Sequence, residues 1–212
     1  MSSAVGSDEI VPRLLWRGPE NGRATLALAH GAGQPMDSLF METITTGLVS
    51  EGIRVARFEF PYMAKRRVTG RKAGPDRMSV LRDTWFKVVE TIDTEILVVG
   101  GKSMGGRIAS MIADEIDAAG LVCLGYPFHP PGKPEKLRTE HLENLQTPAL
   151  FCQGERDIFG TRSEIVSYSL SAQIRFLWAI DGDHSFKPRK KSGRTLEQNL
   201  DEAIKSIANF VT

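Results

Sequence analysis

A mostly parallel α/β sheet flanked by helices is predicted by three features of the chain. Short apolar runs stop abruptly at turn residues, stretches with helical apolar spacing separate them, and no Asn-Gly or Asp-Gly hairpin joins one run to the next. The strand-like runs are Ala24–Ala29 (ATLALA), 53–60 (IRVARFEF), 95–99 (EILVV), Gly120–Leu124 (GLVCL), 148–152 (PALFC) and 173–180 (QIRFLWAI). Being short, apolar and rich in β-branched or aromatic residues, they read as buried strands.

Between them, Leu39, Phe40, Ile44 and Leu48 share one helix face, as do Leu81, Trp85, Val88 and Ile92, and again Ile108, Met111, Ile112 and Ile116. A last helix opens on Thr195-Leu196-Glu197-Gln198, a capping-box pattern, and presents Leu200, Ile204, Ile207 and Val211 on one side. Six strands alternating with about five helices imply right-handed crossovers and strands whose carboxyl ends share one rim.

A chain of 212 residues with no linker, repeat or low-complexity tract predicts one domain over 1–212, with about the first dozen residues outside the ordered fold. A formal charge of +1 gives no reason to expect nucleic acid or an acidic membrane as partner. No apolar run is long enough to span a bilayer, and MSSAVGSDEI is no secretory signal because it has no apolar core and carries Asp8 and Glu9. A cytoplasmic location is the resulting expectation. Cys123 and Cys152, each inside a strand-like run, are then expected to be reduced core residues rather than a disulfide or a nucleophile.

The most informative segment is EILVVGGKSMGGRIASMIADEI, in which Gly101-Lys102-Ser103-Met104-Gly105 follows a strand and precedes a helix. A Gly-x-Ser-x-Gly in that context sets the serine on a sharp turn above the sheet, with small neighbours so that strand and helix can approach. Gly101-Lys102-Ser103 also resembles the tail of a phosphate-binding loop, but that loop needs glycine where Ile96 stands. The bland alternative is a glycine-rich turn without chemistry.

A serine hydroxyl needs a base to take its proton. Of the four histidines, His184 follows the last strand, in Asp181-Gly182-Asp183-His184, and Asp157 follows the strand before it, in QGERD. The order Ser103, Asp157, His184 is that of a nucleophile, orienting acid and base on three strand ends. Glu155 is the competing acid; Asp181, Asp183 and His184 together could instead hold a metal, a weaker reading. His141, amid polar residues, reads as a helix-surface residue. Backbone N–H donors for an oxyanion are expected from Met104 and from Ala32, with Gly33 as second choice. His30, Lys102 and His129 are candidates for contacting substrate, and His30 has the alternative role of bracing its loop by hydrogen bonds.

The segments AHGAGQPMDS (29–38), RVARFEFPYM (54–63), GGKSMGGRIAS (100–110), YPFHPPGKPEKLRTEHL (126–142), QGERD (153–157) and GDHSF (182–186) resemble the α/β-hydrolase superfamily. The likeness is to the small group whose elbow reads Gly-Lys-Ser-Met-Gly-Gly, which includes bacterial hydrolase-like proteins, a human testis-expressed protein and a subunit of the human NSL chromatin complex. The resemblance implies the usual strand order without the first strands of larger members, and the same triad. It does not specify a substrate.

The stretch from Gly125 to Pro148 has room for only a loop and one helix, so little or no lid is expected over the site. Two basic loops, one with Lys65, Arg66, Arg67, Arg71 and Lys72, the other with Lys187, Arg189, Lys190, Lys191 and Arg194, would begin on the same rim and could attract an anionic substrate. The expectation is a serine hydrolase of small or medium esters or thioesters, without cofactor or metal. The alternative is a hydrolase-like binding module with weak or no activity; the oligomeric state is open.

Overall fold

The computed structural model describes residues 12–22 and 24–212. Residues 1–11, on which the absence of a leader and the unstructured start were argued, lie outside the described residues.

Among the described residues, seven strands form one sheet in the order β1-β3-β2-β4-β5-β6-β7. They are β1 (Leu15–Arg17), β2 (Ala24–Ala29), β3 (Arg54–Phe58), β4 (Ile96–Lys102), β5 (Gly120–Leu124), β6 (Ala149–Gly154) and β7 (Ile174–Ala179). Every neighbouring pair is parallel except β1 and β3, where Trp16 sits opposite Ala56. This is the mostly parallel sheet expected, with one antiparallel strand added. The described residues also form the α-helices α1 (Leu39–Ser50), α2 (Pro61–Thr69), α3 (Met78–Glu90), α4 (Met104–Ile112), α5 (Arg162–Ile165) and α6 (Leu196–Val211).

Residues alternate between the two faces of each strand, and both faces are buried. Ala27, Ala29, Val99, Cys123 and Phe151 point into a core shared with Trp85 of α3 and Ile108 of α4. Leu26, Leu28, Val98, Val122 and Cys152 point the other way, against Ile44 of α1 and Ile204 and Ile207 of α6. Double-sided burial explains why the strands read as continuous apolar runs rather than alternating ones. Each fully buried Leu, Ile or Val contributes about 1.5–3 kcal/mol. Cys123 and Cys152 are buried and unpaired, and burial pushes both thiols up in pKa, which makes them poor nucleophiles.

Strand β2 pairs with β3 on one side and β4 on the other, so the chain reverses its direction of sheet growth there. The register sets Ala29 beside Gly101, and the loops that leave these strands diverge around a crevice.

Two segments depart from the sequence expectation. The stretch read as a basic loop after Phe60 is helix α2, started by Pro61 at its first position and ended by Gly70 in the left-handed region. The span between β5 and β6 holds a loop with a single 3-10 turn, Glu140–Leu142, rather than a full helix. Among the described residues, no helix is long and apolar enough to cross a membrane.

Candidate functional site

Ser103 stands between β4 and α4 with φ 52° and ψ −117°, a conformation an L-residue adopts only when its surroundings impose it. The surroundings are tight. A Cβ on Gly101 would lie 2.5 Å from the Ala29 carbonyl oxygen, and one on Gly105 would lie 2.5 Å from the same atom and 2.6 Å from the His30 oxygen. Glycine two residues either side of the serine is therefore a packing requirement. The Ser103 N–H donates to the Leu124 carbonyl at 3.0 Å, which ties the turn to the end of β5.

Asp157 follows β6 and is fully buried; His184 follows β7. His184 Nδ1 is 2.7 Å from Asp157 Oδ2, and its Nε2 is 2.9 Å from Ser103 Oγ. With the carboxyl ionised it can only accept, so Nδ1 carries the proton and Nε2 is left to accept from the serine hydroxyl. Asp157 Oδ1 accepts from the Phe159 N–H at 2.9 Å, and Gln153 Nε2 donates to Oδ2 at 3.0 Å. The Phe159 ring lies against the imidazole with centroids 4.4 Å apart.

The loop carrying His184 is wound tightly, with Asp181 and Phe186 both at positive φ. Asn199 of α6 holds it by donating to the carbonyls of Ile180 and Phe186 at 3.0 and 2.8 Å. The rival acid Glu155 faces elsewhere, pairing with Arg162 at 2.7 Å and accepting from the Asp181 N–H at 2.9 Å. Asp181 is paired with Arg189 and Arg156, while Asp183 Oδ1 accepts from the N–H groups of Ser185 and Lys187. These carboxylates do not converge with His184, and no group of three or more potential metal ligands occurs among the described residues.

Ser103, Met104, Ala32 and Phe159 border one open cleft of about 380 Å³. As the first residue of α4, Met104 has an N–H that no carbonyl of its own helix can accept. Ala32 lies in the loop after β2, whose carbonyls are held away: Tyr62 Oη donates to Ala32 O at 2.9 Å and Arg66 to Gly33 O at 3.3 Å. Gly33 does not border the cleft.

None of the three candidates for substrate contact borders this cleft. His30 is fully buried, with Nδ1 2.7 Å from the Gly31 oxygen and Nε2 accepting from the Phe60 N–H at 3.1 Å, so it braces the loop. Burial lowers its pKa and favours that neutral, accepting form. Lys102 is also buried and donates to the His184 carbonyl at 2.5 Å; burial lowers its pKa to about 8 against the opposing pull of Asp157 and Asp183. His129 is buried with Nδ1 2.9 Å from the Pro130 oxygen. His141 is not a surface residue but a partner of Ser110 Oγ at 2.8 Å, and burial pushes its pKa down to about 4.

Several of the cations expected to form a positive rim are paired with acids: Arg67 with Asp37 and Glu59, Arg189 with Asp181, Arg194 with Glu202. Sequence reasoning missed Gln153, Asn199, Arg107 and Arg138. Arg107 and Arg138 border the cleft with Ser103. Arg107 could have been found from spacing, because it lies one helical turn past the serine.

Solved structures share this architecture. An alpha-beta serine hydrolase homologue from Coxiella burnetii superposes with a TM-score of 0.71 at 18% identity, covering 92% of this chain and 90% of that one. Est1E from Butyrivibrio proteoclasticus matches with a TM-score of 0.68 at 13% identity over 92% and 93% of the two chains. A serine hydrolase without a lid from Xanthomonas campestris matches with a TM-score of 0.67 at 18% identity over 93% and 88%. At such identities the likeness is one of fold. The family model described as alpha/beta hydrolase domain matches residues 22–212, and the chain belongs to that family.

Proposed function

We propose that this protein is a serine hydrolase that cleaves a small or medium ester or thioester through an acyl-enzyme. The observation that carries this reading is the unbroken chain of contacts from Ser103 Oγ to His184 Nε2 at 2.9 Å and from His184 Nδ1 to Asp157 Oδ2 at 2.7 Å. Ser103 Oγ attacks the carbonyl carbon while His184 Nε2 takes its proton. Buried Asp157 keeps the ring in the accepting tautomer and stabilises the imidazolium. The N–H groups of Met104 and Ala32 receive the developing oxyanion, each worth about 3 kcal/mol of transition-state stabilisation. His184 then protonates the departing alcohol or thiol, and water, activated by the same imidazole, releases the acid and restores Ser103. The chemistry asks for no cofactor. An open cleft with no helical lid among the described residues, as in the lidless Xanthomonas campestris neighbour, suits short acyl groups better than long lipid chains.

Labelling with a fluorophosphonate probe tests the reading. Wild-type protein should label rapidly at Ser103, and Ser103→Ala and His184→Ala should not label. Folded wild-type protein that stays unlabelled would overturn the reading and turn attention to a binding role.

A further inference from the structure

Two arginines share the cleft with Ser103, and among the described residues neither forms a salt bridge. Arg107 lies one turn along α4, about 6 Å of helix rise from the serine, and its backbone N–H donates to the Ser103 backbone carbonyl at 3.0 Å. Its Nε is buried and finds no hydrogen-bond partner. Among the described residues, the Arg138 guanidinium reaches only the Pro127 carbonyl, at 3.5 Å. Neither is paired with a carboxylate among the described residues, whereas Arg57, Arg67 and Arg156 all are.

Burial first, and then the neighbouring Arg107, lowers the pKa of Arg138; the same two causes, in the same order, act on His141. The Arg107 charge is thus felt by both of these neighbours. Asp76 is the carboxylate that borders the cleft, and its Oδ2 accepts from the Tyr62 N–H at 2.8 Å. Two like charges held together in a partly desolvated cleft repel one another, and a bound anion would relieve the repulsion while satisfying the idle guanidinium donors.

We propose that Arg107 and Arg138 form an anion subsite that selects esters or thioesters bearing a second, non-reacting carboxylate or phosphate. The proposal rests on Ser103 being the nucleophile and adds the substrate class. It takes the attraction for anions from inside the cleft rather than from the surface cations, several of which are already paired. Arginine suits the task because its planar fork can meet an oxyanion with two parallel hydrogen bonds.

Calorimetry on the Ser103→Ala protein tests it apart from turnover, with monoethyl glutarate, neutral diethyl glutarate and ethyl 4-phosphonobutyrate as ligands. The charged ligands should bind at least tenfold tighter than the diester, and the tighter of the two tells carboxylate from phosphate. In the same background Arg107→Gln and Arg138→Gln should each remove most of the preference, while Arg107→Lys, which keeps the charge but not the fork, should retain part of it. For the wild type, the ratio of kcat/KM for monoester over diester should fall in the same variants. Equal binding of charged and neutral ligands, or a preference that survives both glutamine variants, would overturn the subsite. Labelled Ser103 without anion preference would leave the hydrolase reading standing alone. Anion preference without labelling would do the reverse.

Discussion

Lys102 Nζ donates to the backbone carbonyl of His184 at 2.5 Å, so the residue before the proposed nucleophile grips the loop that carries the proposed base. The contact joins the ends of β4 and β7 across 82 positions of sequence and needs no charge, since either form of the amine has hydrogens to give. Gly125 makes room for it, because a Cβ there would stand 2.7 Å from the same Nζ.

Replacing Lys102 by Met should loosen the His184 loop and slow labelling of Ser103 by on the order of tenfold to a hundredfold, with secondary structure retained. The same variant has a pH consequence. The folded chain sheds the Lys102 proton near pH 8 and the unfolded chain near 10.5, so across that window the unfolded state binds more protons and the wild type gains stability as pH rises. The gain should approach roughly 3 kcal/mol. Urea denaturation at pH 7 and pH 10.5 should show the wild type improving relative to Lys102→Met by about that amount.

Asp157→Asn should lower kcat/KM by about a thousandfold to ten-thousandfold while leaving the fold intact, because an amide can offer its N–H to Nδ1 and invert the tautomer. Gln153→Leu acts one step further away. Gln153 Oε1 accepts from the Tyr126 N–H at 2.7 Å and its amide serves Asp157 Oδ2, so leucine orphans buried groups at both ends. A stability loss of roughly 2–4 kcal/mol should appear in thermal melts, together with slower turnover.

Gly105→Ala and Gly33→Ala form a contrasting pair. The methyl at 105 would meet two backbone oxygens at 2.5 and 2.6 Å, and neither can move without displacing β2. The methyl at 33 would meet nothing within 4 Å. Soluble yield and melting temperature should fall sharply for Gly105→Ala and stay near wild type for Gly33→Ala.

What could be read in advance was local. The strands and the elbow announce themselves through apolar period and turn residues a few positions apart. Strand β1 did not, because three residues are too few to show a period, and its place is set by distant partners such as Arg54, whose guanidinium lies 4.2 Å over the Trp16 ring. Helix α2 was hidden by its charge: only Tyr62 and Met63 are buried, so its apolar face is too narrow to register, although Pro61 marked its start. The proposed triad was read from strand ends, and the structure brings its three side chains within hydrogen-bond distance, but Gln153 and Asn199 hold their loops through contacts no spacing rule anticipates. Lys102 shows the limit most sharply, since its sequence position beside Ser103 suggested substrate contact and burial gives it a structural task instead.

Ser103, Asp157 and His184 hang from three different strands, with 81 residues separating serine from histidine and 27 separating histidine from aspartate. No fragment of the sheet can bring them together, so the reactivity proposed for Ser103 requires that the last parallel strand has docked. If Ser103 labels as proposed, a covalent probe becomes a census of native molecules, counting in a living cell how many copies have finished folding.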